Sequence, residues 1–317
     1  MEGHFEYIIR YLSDEFFIEM AQVPYPPYDN FLDRYPETSP LMRNPNDYEL
    51  ELPLLASHVG TEVKEHAHKR ATVVYEPGEG LWPDSVLVGL TTPATEDTDY
   101  NKPTMSLRFG IDTELFKPYK MLREDKLLHV GIVGSHENPR RSIQEAIRPL
   151  YDLEGVRIMF FPSPWVNNGG HEQKIESLGG EEFIKRCVSG NKFWPGLPNV
   201  YNQLDVLIRC DSSFGYSFPT LEAASCEIPV IVTDMGIDHH ITEAGGGILI
   251  KGNPKDWLNK PDELASQVRE AVIYMRDHKI KRLAMGKAGR TQIMQHWTWE
   301  QHILPWRKFF RRALELV

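Results

Sequence analysis

"QLDVLIRCDSSFGYSFPTLEAASCEIPVIVTD", residues 203–234, decides the fold of this chain. It opens on an apolar run of strand length, crosses a short loop of small and polar residues, and resumes as the helix-like "PTLEAASC". The β-branched "IPVIVTD" follows directly and reads as a second buried strand. Pro219 suits the first turn of the helix, where its missing N–H is no loss. Strand, loop, helix and strand in that order argue for a parallel sheet covered on both faces. Gly215 and Ser217 keep the loop small, so a ligand could approach the backbone closely. Glu222 falls about one turn inside the helix. Its carboxylate is either a surface charge that complements the helix dipole or an acceptor for sugar hydroxyls such as those of ribose. The residues by themselves leave both readings open.

Working outward, the same alternation runs from Lys126 onward. "KLLHVGIVGS" (126–135), "GVRIMFFPS" (155–163) and "GGGILIKG" (245–252) read as strands, and "RRSIQEAIRPLYDL" (140–153) and "EEFIKRCVSG" (181–190) as helices. Residues 261–295 carry the period of one or two long amphipathic helices. Upstream, "GHFEYIIRYLSDEF" (3–16) is helical, with Phe5, Ile8, Ile9 and Leu12 on one side. "DYELELPLLASH" (47–58), "RATVVYEP" (70–77) and "DSVLVGLTT" (84–92) are strand-like, and the Pro- and Tyr-rich residues 23–47 form a connection. "GIDTELFKPYKMLRED" (110–125) reads as a linker between domains.

Composition bounds the function. The 317 residues suit two domains, and a formal charge of −10 weighs against a nucleic-acid partner, which would call for a basic face. Basic residues gather only in "NPRRS" (138–142) and "WRKFFRR" (306–312), which fits a small anionic ligand better than a polyanion. A transferase acting on bases in DNA is disfavoured on the same ground. Three scattered cysteines form neither a metal pattern nor a disulfide framework, so a cytoplasmic location is expected. No apolar run reaches bilayer length.

A strand ending at Gly134, a polar loop, and Arg140 and Arg141 opening a helix make a candidate diphosphate clamp. A plain surface turn with solvated arginines is the alternative.

Several segments, taken in order, resemble the sugar-nucleotide-dependent glycosyltransferases of the GT-B fold, most closely the large retaining family numbered four. "FGIDTELFKP" is similar to that family's interdomain "nGvD…F.P", and "VGIVGSHENPRRS" to its donor-phosphate loop. "VYNQLDVLIRCDSSFGYSFPTLEAASCEIPVIVTDMG" resembles "Y..aDv.v.pS..EGfG.p.lEAmA.G.PVi.td.gg". "HWTWEQHILPWRKFF" resembles the closing helix that crosses back to the N-terminal domain. The resemblance implies an α/β fold of two Rossmann-like domains facing across a cleft, the N-terminal one reduced. The expected divisions are residues 1–118 on the acceptor side, 119–295 for the donor, and 296–317 for the returning helix.

It also implies roles. Glu222 matches the glutamate that binds the donor's ribose, and Arg140 the lysine that meets its phosphates, with Arg141 beside it. Gly134, Ser135, Gly215, Tyr216, Ser217, Phe218 and Pro219 complete the expected donor site. Two departures stand out. Phe214 replaces the family's first glutamate, and Ser135 replaces the arginine after the loop glycine. On the acceptor side, His58 is the expected catalytic histidine, with the "HAH" pair His66 and His68 as rival. The implied reaction moves a sugar from a nucleoside-diphosphate donor to the hydroxyl of a glycan, lipid or small molecule, with retention, no other cofactor and no required metal. The alternative, suggested by Phe214, is a nucleotide or glycan binder with little turnover. The tail "ILPWRKFFRRALELV" (303–317) is expected to dock on the other domain with its basic residues solvated, weak membrane-surface contact being the alternative.

Overall fold

The computed structural model describes residues 7–8, 10–12, 14–16, 70–74, 85–91, 99–119, 121, 123, 125–134, 148–162, 187–189, 196–210, 217–233, 238–252 and 260–316. The chain divides into two compact units, Met1–Phe109 with His302–Val317, and Gly110–Gln301.

The first unit carries a three-stranded parallel sheet of β1 (Arg70–Val74), β2 (Ser85–Leu90) and β3 (Thr104–Ser106) in that order. β1 and β2 lie where their apolar runs predict. β3 has no apolar pattern, and only its middle residue, Met105, is even half-buried. The N-terminal helical residues bury Tyr7, Ile8 and Leu12. The expected strand over 47–58 and the connection over 23–47 lie outside the described residues.

The second unit is built on six parallel strands in the order β6-β5-β4-β7-β8-β9. These are β4 (Leu128–Gly134), β5 (Val156–Pro162), β6 (Cys187–Ser189), β7 (Val206–Arg209), β8 (Val230–Thr233) and β9 (Gly247–Ile250). Among the described residues its α-helices are α1 (Leu197–Tyr201), α2 (Phe218–Ser225), α3 (Asp238–Glu243), α4 (Pro261–Asp277) and α5 (Lys279–His296). Of the expected helix 140–153, the described part, 148–153, forms a 3-10 turn at Arg148–Leu150. Alternation sets the layers. Val130, Ile132, Ile158, Phe160, Val206, Ile208 and Ile231 join Leu264, Val268, Val272 and Met275 of α4 in one core. Leu207, Val230 and Val232, also buried, point to the opposite face. Strands buried on both faces must be apolar nearly throughout, which is why they read so clearly.

The stretch 261–295 forms two helices. They break at His278, whose backbone N–H caps α4 through Tyr274 O at 3.0 Å. One expectation fails: 187–189 of the stretch read as helix 181–190 is strand β6, paired parallel with Ile158–Phe160 of β5. A three-residue strand at a sheet edge is set by the hydrogen-bonding groups that β5 offers, and so short a segment has no readable period.

The last helix, α6 (Trp299–Glu315), starts in the second unit and continues into the first. Ile303, Trp306, Phe309, Phe310 and Ala313 are buried. The Trp306 ring lies 5.2 Å from Phe109, its indole N–H donates to Arg108 O at 2.8 Å, and Phe310 packs 5.4 Å from Phe16. The apolar face of the helix is thus packed within the protein. The basic residues are not all simply solvated: Arg307 donates to Asp14 and Glu15, and Arg311 pairs with Glu15. Among the described residues no helix is long and apolar enough to cross a membrane.

Candidate active site

The second unit's strand order reverses between β4 and β7. The chain steps outward from β4 to β5 and β6, then returns to the other flank of β4 with β7. In open parallel sheets a crevice forms at such a switch, outside the strands' carboxyl ends. Gly134 ends β4, and α2 follows the loop after β7. These two strands are hydrogen-bonded neighbours, with Val130 opposite Val206 and Ile132 opposite Ile208. The two segments singled out in the sequence therefore leave the same sheet edge from adjacent strands, roughly 5 Å apart.

Helix α2 opens at Ser217, with Pro219 in its first turn. Ser217 is buried, and its hydroxyl meets that of Thr220 at 2.6 Å. The Ser217 side chain makes no capping hydrogen bond to the helix, so it does not compete with an anion for the first amides. Phe218 is buried beside them.

Glu222 lies beyond the first turn and is only 3% exposed, which removes the surface-charge reading. Its Oε2 accepts a 2.6 Å hydrogen bond from the hydroxyl of Tyr201, at the end of α1. Tyr201 is itself fully buried, and burial, then the negative charge of Glu222, push its phenol well above the usual range. Burial and the same charge raise the Cys226 thiol to about 12, with the Arg290 guanidinium acting in the opposite direction. A carboxylate placed in such an interior needs hydrogen bonds to compensate its lost hydration.

The frame around this pair is the segment 110–119. Ile111 N–H donates to Trp297 O at 2.7 Å, and a Cβ on Gly110 would sit 2.4 Å from the backbone of Trp299, so only glycine fits there. Asp112 Oδ1 accepts from the amides of Glu114 and Leu115, both at 2.9 Å, turning the chain so that Phe116 enters the core. The Phe116 ring meets Tyr201 edge-on at 6.0 Å. Its carbonyl accepts from Ser225 Oγ at 2.5 Å and Arg290 at 3.2 Å. Asn202, next to Tyr201, accepts from Tyr119 N–H at 2.8 Å and donates to Lys117 O at 3.1 Å. From the other side, Gly286 of α5 lets that helix press onto the turn after α2, where a Cβ would meet Glu227 O at 1.9 Å.

Of the residues expected at the site, Gly134, Ser217, Phe218, Pro219 and Glu222 lie at or near this edge. His58, Ser135, Arg140, Arg141, Gly215, Tyr216 and the departure Phe214 lie outside the described residues, as do His66 and His68. Sequence reasoning assigned no role to Tyr201, Asn202, Ser225 or Arg290. The available signal was the tyrosine that opens "YNQLDVLIRC", aligned with the family's own tyrosine but given no partner. Among the described residues, one group has the makings of a metal site: His239, His240 and Glu243 on α3.

Comparison with known proteins agrees with this geometry. The family described as glycosyl transferase-like matches residues 140–306, just over half of the chain. A GDP-mannose-dependent monoacylated alpha-(1-6)-phosphatidylinositol monomannoside mannosyltransferase from Corynebacterium glutamicum is 34% identical over 87 residues. That match covers 27% of this chain and 20% of the relative, so the chain spans about a fifth of that curated protein's length. The structure of sucrose-phosphate synthase from Thermosynechococcus elongatus superposes with a TM-score of 0.69 at 17% identity, over 93% of this chain and 82% of that one. The pneumococcal O-GlcNAc transferase GtfA, in complex with UDP and GlcNAc, superposes with a TM-score of 0.61 at 13% identity, over 84% of this chain and 57% of that one. At such identities these likenesses speak for the fold, which is GT-B. The chain belongs to the glycosyl transferase-like family.

Proposed function

We propose that this protein transfers a sugar from a nucleoside-diphosphate sugar to an acceptor hydroxyl, with retention at the anomeric carbon and without a required metal. The observation that carries the reading is the pairing of β4 with β7 at the switch in strand order, which brings the Gly134 loop and the α2 entrance to one edge. A donor seated there would have its diphosphate at the α2 amides and its ribose at Glu222. Arg140 and Arg141 follow the Gly134 loop and are the cations for the diphosphate. The Tyr201 bond on Oε2 orients the Glu222 carboxylate. Transfer breaks the bond between the anomeric carbon and the diphosphate oxygen and forms one to the acceptor oxygen on the same face, while the acceptor's O–H proton passes to the departing diphosphate. The guanidinium charge and helix entrance stabilise the departing diphosphate, a role that needs no metal ion. The first unit supplies the acceptor's contacts, with His58 as its candidate histidine. The Corynebacterium relative uses GDP-mannose and GtfA was solved with UDP, so both bases belong in a donor panel, with ADP-sugars beside them. Three cysteines without a pairing pattern support a reducing compartment, the cytoplasm, as its location.

Glu222→Ala should weaken nucleoside-diphosphate binding by roughly ten-fold, as loss of a charged hydrogen bond does, and weaken a 2′,3′-dideoxy analogue much less. Equal losses on both remove the ribose role. Arg140→Ala should weaken the diphosphate far more than the nucleoside. Phe214, where the family carries a glutamate, favours one second reading, a binder without turnover. Tight binding with no transfer or hydrolysis across the panel would select it.

A further inference from the structure

We propose that His239, His240 and Glu243 form a binding site for a first-row transition cation of the Zn2+ class, separate from anything the transfer reaction requires. The three residues lie on α3, which follows β8, and one ligand atom from each falls within 4.8 Å of the others. Adjacent residues on a helix normally face apart. Here the two imidazole rings are 4.1 Å apart at an interplanar angle of 43°. His240 Nδ1 stands 3.8 Å from Glu243 Oε2. That is too long for a hydrogen bond. Zinc bonds to nitrogen and oxygen of about 2.0–2.1 Å put neighbouring ligands of a tetrahedral ion roughly 3.4 Å apart. The observed separation is therefore closer to that of two ligands sharing a cation than to that of a bonded pair.

The parts of the site differ in freedom, as a loadable site requires. Both histidines are half-buried, and the His240 ring lies 6.2 Å from Trp297, which limits its rotamers. The Thr242 hydroxyl donates to His239 O at 2.9 Å and ties the turn beneath the rings. The Glu243 side chain is 69% exposed and can close on an arriving ion with a small rotation. An ordinary i,i+3 histidine–glutamate surface pair would account for two of these residues and leave the second imidazole unexplained. Two imidazoles and one carboxylate select zinc-like ions over magnesium, which takes oxygen ligands almost exclusively. Three protein ligands leave a fourth position for water, the pattern of an exchangeable site and not of a closed structural one. The inference rests on α3 alone and stands whether or not the donor reading does.

The test uses the full chain, stripped with a chelator and titrated with Zn2+ by calorimetry and with Co2+ by visible absorption. One equivalent of Zn2+ should bind with a dissociation constant on the order of micromolar. Co2+ should give the visible bands of a low-coordinate nitrogen–oxygen site, and millimolar Mg2+ should neither bind nor compete. His239→Ala with His240→Ala should lower the affinity roughly a hundred-fold or more, and Glu243→Gln roughly ten-fold. His66→Ala with His68→Ala should leave it unchanged. Uptake only at millimolar Zn2+, uptake undiminished in the His239/His240 variant, or loss in the His66/His68 variant instead would each overturn the site. Circular dichroism of the stripped proteins checks that the variants fold. Should the double variant fail that check, Glu243→Gln, altered only at an exposed carboxylate, decides.

Discussion

Two places in this protein set an acid against its hydrogen-bond donors, and they do so in opposite surroundings. In the second unit, Glu222 is buried and accepts from the hydroxyl of the equally buried Tyr201. In the first, Glu15 lies at the surface between Arg307 and Arg311, with Asp14 also bonded to Arg307. The exposed cluster joins two acids to two arginines. It holds the outer face of α6, whose inner face is already packed with aromatic residues, and water and salt weaken what it contributes. In the buried pair each bond matters more, because an uncompensated charge in that interior has no solvent to fall back on. A chain does not place a carboxylate in such a site for stability, which an apolar side chain would serve better. The burial of Glu222 beside a helix entrance at the switch in strand order supports the proposed role in donor binding.

The largest effect should come from disturbing the packing that encloses the buried pair. Gly286→Ala gains about 1 kcal/mol of helix propensity, but its Cβ would meet Glu227 O at 1.9 Å, a backbone atom that cannot rotate away. The clash should prevail, and denaturant unfolding should show a net loss of about 2–3 kcal/mol. No loss would mean that α5 can lift from the turn after α2, and that the enclosure is softer than its geometry implies.

Next in size is Tyr201→Phe. The ring's edge contact with Phe116 survives, and only the hydroxyl bonded to Glu222 is lost. Stability should fall by about 1.5–3 kcal/mol, the range for hydrogen bonds to charged groups. Nucleoside-diphosphate affinity should fall as well, because the carboxylate loses its orientation. A fall in stability with affinity intact would reduce Tyr201 to a packing residue.

The smallest effect should come from the exposed cluster, and its signature is its dependence on pH and salt. Hydrogen bonds from Arg311, then Arg307, hold the Glu15 carboxyl at about 2, below its ordinary 4.5. A folded-state value below the unfolded one means that the stabilisation is present above about pH 4.5 and is lost as pH falls toward 2. Arg307→Gln with Arg311→Gln should remove that part of the acid sensitivity and leave stability at neutral pH and high salt close to the parent's. A large loss at high salt would show that the arginines act by packing their stems against the N-terminal helical residues and not by charge.

The two clusters also differ in how far they could be read in advance. Glu222 was visible because its neighbours are local: the small loop, Pro219 and the helix period all lie within a few residues of it. Tyr201 is separated from it by a whole strand and loop, and neither residue carries a mark of the other. The arginines of α6 were visible as a basic run, but their acids lie at the opposite end of the chain, so solvation was the natural expectation. β6 escaped because an edge strand of three residues owes its conformation to β5 and not to its own pattern.

The sequence by itself determined the buried strands β4, β5, β7, β8 and β9, the helices α2, α4 and α5, and the placement of Glu222 one turn into α2. Hydrophobic period and helix-entry chemistry are short-range properties, written in consecutive residues. Tertiary structure alone decided which strands adjoin, and so brought the Gly134 loop and the α2 entrance to one edge. It also decided that Glu222 would be buried against Tyr201 and that His239, His240 and Glu243 would converge. Those outcomes depend on the path of the chain between distant segments, and on the desolvation that only the assembled core imposes.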